Sequence, residues 1–170
     1  MRKDKARKLL KEWLNEPLPN KTLQKRLCYR PSLKEVKETW RVLNACLFEN
    51  KLNMPEFIIF QRNSTKMWAC CEATELEPKP FKTKSNCEIS LNSKWYCRQW
   101  FIDTLAHEMV HQYQWDIDGL TRVRQGKEPI MSHGPSFYKH RKSFSAYRQI
   151  YLKECHSTKK WFKHQSLSKC

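Results

Sequence analysis

His107-Glu108-Met109-Val110-His111 sets two imidazoles four residues apart, with a carboxylate next to the first. On a helix this spacing puts both rings on one face, about 6 Å apart along the axis. Two nitrogens so placed can reach one Zn²⁺ at roughly 2.0–2.1 Å each. Glu108 is then free to project toward water held by the metal rather than toward the metal itself. There it can act as general base and pass the proton on to a leaving amine. The zinc would acidify that water and polarise a scissile carbonyl. A shuffle of this composition yields H-E-x-x-H in roughly 1–2% of cases. The sequence context strengthens the signal. It does so through Ile102, Leu105, Ala106, Met109 and Val110, which surround the polar triplet with core-type residues at helical spacing. A polar cluster buried among them needs partners, and a metal supplies one.

A third ligand must come from elsewhere in the chain. The metzincin pattern requires glycine at 114 and histidine at 117, and Gln114 and Ile117 exclude it. The remaining histidines are His133, His140, His156 and His164. His133 is favoured because Ser132-His133-Gly134-Pro135-Ser136-Phe137 reads as the mouth of a helix, with Pro135 in its first turn. Such a junction can fold back over the motif helix with Phe137 as its anchor. His140, Asp118 and Glu128 are the alternatives. Three protein ligands leave a fourth position for water and substrate, the mark of a catalytic zinc site. Tyr113, Tyr138 and Arg141 are candidates for stabilising an oxyanion.

With these residues the chain resembles the SprT-like metalloproteases. The matching features are His107-Glu108-Met109-Val110-His111 in a helix, His133-Gly134-Pro135-Ser136-Phe137 some twenty residues later, and a preceding helix–strands–helix order. The resemblance covers roughly residues 32–150. It implies a zincin-like SprT domain with His107, His111 and His133 as zinc ligands and Glu108 as the catalytic glutamate. It also implies a DNA-associated protease that degrades proteins crosslinked to DNA. Relatives often carry a C-terminal zinc ribbon of C-x-x-C pairs. This tail has only Cys155, His156, His164 and Cys170, with ribbon spacing missing.

The elements that must position the site are legible in outline. Residues 3–15 form a basic helix with Leu9, Leu10, Trp13 and Leu14 on its apolar side, ended by Pro17 and Pro19. Residues 20–31 include a possible short helix. Ser32 to Glu49 is a helix opened by a Ser32/Glu35 capping box, with Val36, Trp40, Leu43 and Leu47 as a core stripe. Phe57–Phe60, Met67–Ala73 and Cys87–Leu91 read as three strands, with Pro78 and Pro80 in the connection before the third. The motif helix follows over 98–115. A charged loop is expected over 116–134, and then a last helix that buries Phe137, Phe144, Tyr147 and Tyr151. The expected fold is α+β: helices on a small three-stranded antiparallel or mixed sheet, with H-E-x-x-H on a central helix. Residues 1–31 are expected as a basic helical extension, 32–153 as the metalloprotease domain and 154–170 as a basic tail.

Three glycines in 170 residues argue against an all-β fold built on glycine turns. The net charge is +16 and unevenly spread. Residues 1–50 hold 13 bases and 6 acids, residues 51–120 hold 8 and 9, and residues 121–170 hold 12 and 2. Two basic flanks around a neutral middle suit a polyanionic partner, DNA above all. In the tail, Lys159, Lys160 and Lys163 surround Trp161 and Phe162. Those rings are either a stacking platform for single strands or a segment that packs back on the domain. The charged start Met1-Arg2-Lys3-Asp4-Lys5 and the lack of any long apolar run predict an intracellular protein, neither secreted nor membrane-spanning. The thiols are then expected to be reduced, with Cys70, Cys71, Cys87 and Cys97 as buried free cysteines rather than a metal cluster. The reading is a zinc-dependent metalloprotease acting on DNA-bound proteins. The rivals are a DNA-binding protein with a structural zinc and no protease activity, and a metallopeptidase with no DNA role.

Overall fold

The helix that leads into the sheet opens at Ser32, where the chain closes the capping box that the sequence predicts. Ser32 N–H donates to Glu35 Oε2 at 2.8 Å, and Glu35 N–H donates to Ser32 Oγ at 3.2 Å. The computed structural model describes residues 1–19, 26–61, 68–74, 84–147, 149–153, 161–163 and 165. Along these, α1 spans Lys3–Leu14 and α2 Leu33–Leu47, followed by β1 Glu56–Phe60, β2 Ala69–Ala73 and β3 Cys87–Asn92. Then come α3 Arg98–Tyr113, a π-helical segment Gln114–Gly119, and α4 Leu120–Arg124. Two short helical turns, α5 Pro135–Tyr138 and α6 Arg141–Phe144, complete the set.

The sheet is mixed, in the order β1-β3-β2. β3 lies in the middle, parallel to β1 and antiparallel to β2. Its central place explains its burial: Cys87, Ile89 and Leu91 are nearly or fully inaccessible. The fold is therefore α+β with a three-stranded sheet. α3 packs against β2, and α1 packs against α2 and α3. Eleven of the sixteen α3 residues are buried. A helix covered on nearly all sides has no polar face, and it fixes whatever it carries in a rigid setting.

The apolar core joins Ala6, Leu10 and Leu14 of α1 to Val36, Trp40 and Leu43 of α2 and to Phe101, Leu105 and Met109 of α3. Each fully buried large apolar side chain stabilises by about 1.5–3 kcal/mol. The tail reaches the same core: Trp161 is fully buried and Phe162 nearly so. Trp161 Nε1–H donates to Asp103 Oδ2 at 2.8 Å, and Tyr151 N–H donates to Asp103 Oδ1 at 2.6 Å. Of the two readings of Trp161-Phe162, packing on the domain holds, and the rings are not available for base stacking. Lys159 and Lys160 lie outside the described residues, as do Cys155, His156, His164 and Cys170 and residues 20–25.

Three elements differ from expectation. α2 stops at Leu47 because Glu49 and Asn50 turn left-handed, with φ of 57° and 58°, and Asn44 ties the exit down by bonds to Leu52 N and O. The segment expected as a loop from 116 stays helical to Arg124. Its polar residues have tertiary partners: Asp116 accepts from Ser85 Oγ at 2.5 Å and from Asn86 N at 2.9 Å. The last helix is broken at Lys139–His140, where the His140 ring turns inward against Phe48 and Tyr113. Among the described residues, no helix is long and apolar enough to cross a membrane.

Candidate metal centre

α3 presents His107 and His111 one turn apart, their ring centroids 5.0 Å from each other. The segment before α5 brings in His133, with its centroid 5.0 Å from His107 and 4.8 Å from His111. The nitrogens converge more closely than the rings. His133 Nε2 lies 3.1 Å from His107 Nε2 and 3.1 Å from His111 Nε2. Three nitrogens bound to one tetrahedral zinc would stand roughly 3.3 Å apart, given Zn–N bonds of about 2.0–2.1 Å. The spacing fits a metal, and so does the chemistry of an all-imidazole donor set. The donor atoms of the three histidines lie within 4.8 Å of one another and could hold a metal ion.

Phe137 supplies the floor. It is fully buried, and its ring centroid sits 4.9, 5.0 and 4.8 Å from those of His107, His111 and His133. Pro135 at the start of α5 preorganises the turn that carries Phe137 under the histidines. One aromatic side chain thus touches all three candidate ligands and shields them from water on that side.

Burial sets the electrostatics. It lowers the pKa of His111, opposed by a hydrogen bond to Gln114 and reinforced by the nearby His133. The imidazole is then neutral, the form that binds metal. Burial also pushes Glu108 up to about 8, against a hydrogen bond from the backbone N–H of Cys71 in β2. Glu108 is outside the group of mutually close donors, its carboxyl being hydrogen-bonded to β2 instead.

The α3 backbone is held from behind by Gln112, which is fully buried. Its Oε1 accepts from Trp40 Nε1 at 3.1 Å, and its Nε2 donates to Asn53 O at 2.7 Å. This one side chain ties α3 to α2 and to the entry of β1. Gln114 lies on the other side of His111. His111 Nδ1 is 2.8 Å from Gln114 Oε1, and Gln114 Nε2 donates to Ser132 O at 2.8 Å and Ser136 Oγ at 2.7 Å.

The alternatives for the third ligand stand elsewhere. His140 is wedged against Phe48 and Tyr113, and burial lowers its pKa to about 4. Asp118 pairs with Lys139 Nζ at 2.5 Å. Glu128 is exposed on the loop after α4. Of the oxyanion candidates, Tyr138 adjoins the floor, 5.2 Å from Phe137 by ring centroid, with the Arg141 guanidinium 4.1 Å over its ring. Tyr113 packs on Phe48 and His140. Cys70, Cys71, Cys87 and Cys97 form no disulfide; Cys87 and Cys97 are buried as expected, whereas Cys70 and Cys71 are only partly buried. Burial raises the Cys70 thiol to about 11, and Cys71 is held protonated by a hydrogen bond with Cys87 and by burial. Neither is poised as a thiolate ligand.

Sequence reasoning missed three parts of the site. Gln114 counted only as a departure from a consensus. Gln112 left no signal, because a polar residue on a buried helix reads as an exposed one. The Cys71 N–H that meets Glu108 is backbone, which no side-chain pattern reports. Compared with known proteins, the chain matches no family model and no curated protein sequence.

Proposed function

We propose that the chain is a zinc-dependent metallopeptidase of the SprT-like class, with a zincin-like arrangement of α3 over the sheet. The carrying observation is the convergence of His107, His111 and His133 Nε2, two of the three separations being 3.1 Å, on a helix whose buried Glu108 directly follows His107. The three imidazoles would hold the metal. A zinc ion there supplies a Lewis acid, an acidified water and a positive charge that favours the ionised form of Glu108. Glu108 takes the proton of the attacking water and delivers it to the leaving nitrogen. Cys71 N–H fixes the carboxyl against β2, so that it neither swings into solvent nor joins the ligands. Phe137 keeps water from the rear of the site, which strengthens each charge interaction in front of it.

The target is protein bound to DNA inside the cell. The support is electrostatic: α1 exposes Lys3, Lys5, Arg7, Lys8 and Lys11 against two acids, Asp4 and Glu12, and the whole chain carries +16. Such a surface recruits the catalytic centre to a polyanion, with Arg141, Lys142 and Lys153 adding exposed charge from the other flank.

The test is cleavage of a loosely folded substrate such as casein by zinc-loaded protein, alone and with single- or double-stranded DNA. Cleavage that disappears in Glu108→Ala while bound zinc is retained supports the peptidase. Zinc binding with no cleavage under any of these conditions leaves a structural metal and ends the enzymatic reading.

A further inference from the structure

Gln114 is fully buried, yet its amide has partners on both sides. The carbonyl of Ser132 can only accept, so the group 2.8 Å from it must be the Gln114 NH₂. The amide orientation follows: Gln114 Oε1 faces His111 Nδ1. An amide oxygen can only accept, so Nδ1 carries the proton. A neutral His111 then has its lone pair on Nε2, the atom that points at His133. The same NH₂ donates to Ser136 Oγ. Ser132 and Ser136 bracket His133, so one side chain grips the helix that carries one candidate ligand and the segment that carries another.

We propose that Gln114 is a positioning residue of the metal centre: it sets the tautomer of His111 and locks the His133 segment onto α3, so that two of the three donor nitrogens are aimed before any metal arrives. The proposal rests on the metal-site reading above. It also accounts for the π-helical turn that begins at Gln114. Insertion of an extra residue per turn is a common device for re-aiming a side chain at a functional site.

The test separates the two grips. In the metal-free full chain at pH 8, long-range ¹H–¹⁵N correlation of the histidine rings is expected to show His111 protonated at Nδ1 and bare at Nε2. This is the reverse of the form that predominates for a free histidine side chain. Gln114→Met removes every bond. It should return His111 to the Nε2–H form and weaken zinc binding 10–100-fold in competition with a chromophoric chelator. Gln114→Glu keeps an acceptor for Nδ1–H but loses both donations. It should keep the His111 tautomer and bind zinc with affinity between the other two. An Nε2–H form in the wild type, or wild-type zinc affinity in Gln114→Met, overturns the proposal. If Gln114→Met does not fold, the wild-type spectrum and Gln114→Glu decide. If the wild type takes up no zinc, the metal-site reading fails, and the ring spectrum still reports separately whether Gln114 sets His111.

Discussion

Asp103 offers a titration whose sign and size follow from its surroundings. It is buried on α3 and accepts from Tyr151 N–H at 2.6 Å and Trp161 Nε1–H at 2.8 Å. Both donors favour the carboxylate, and burial opposes it. Burial wins, raising the pKa from 3.8 to about 7. The folded chain therefore holds this proton more tightly than the unfolded chain does. The stability so contributed is fully present well below about pH 4 and is lost progressively as pH rises through about 7. The gap is roughly three units, worth about 4 kcal/mol at 1.36 kcal/mol per unit. Asp103→Asn removes the titration and turns an NH₂ toward one of the two donors. The variant should be less stable than wild type at pH 4.5, and that difference should shrink by about 3 kcal/mol by pH 8, because part of the full gap is already lost at pH 4.5. Urea denaturation of both proteins across this range measures the difference directly, and all other titrating groups cancel in it. A difference that is flat with pH, or that widens as pH rises, refutes the reasoning. The first would mean that the two hydrogen bonds balance desolvation, the second that they outweigh it.

Phe137→Ala removes a fully buried ring and the floor of the centre. It should cost about 3–5 kcal/mol of stability, roughly 6–20 °C in Tm for a chain of this size, and weaken zinc binding as well. A thermal scan at the wild-type Tm would show that the ring is not load-sharing in the core. Lys5→Ala and Lys8→Ala, both on the exposed side of α1, should lower DNA affinity alike for all sequences. Each should reduce the slope of log K against log salt by about 1. Unchanged slopes would remove α1 from the DNA-binding surface.

Much of this site was legible in the sequence because its signals are local. The i, i+4 histidines need only helical spacing, and the Ser32/Glu35 box needs only three residues of separation. His133 was reachable because Gly134-Pro135 marks a helix start. The parts that were not legible depend on long-range burial. Charge and turn-forming residues made 116–134 look like a loop, but Gln114 and Asp116 are fully buried and satisfied by partners far along the chain. Trp161 looked equally suited to stacking on bases or on the core. The deciding group was Asp103, 58 residues away. The parallel pairing of β1 with β3 was likewise beyond local pattern, since alternation fixes a strand's faces but not its neighbour.

The proposed activity requires a zinc ion held by His107, His111 and His133 with one position left open. Zinc K-edge X-ray absorption of the zinc-loaded protein reads this coordination directly. The predicted result is three imidazole nitrogens at about 2.0–2.1 Å, one further light atom, and loss of one imidazole in His133→Ala. Sulfur at about 2.3 Å, four protein ligands with no open position, or an unchanged spectrum in His133→Ala would contradict it.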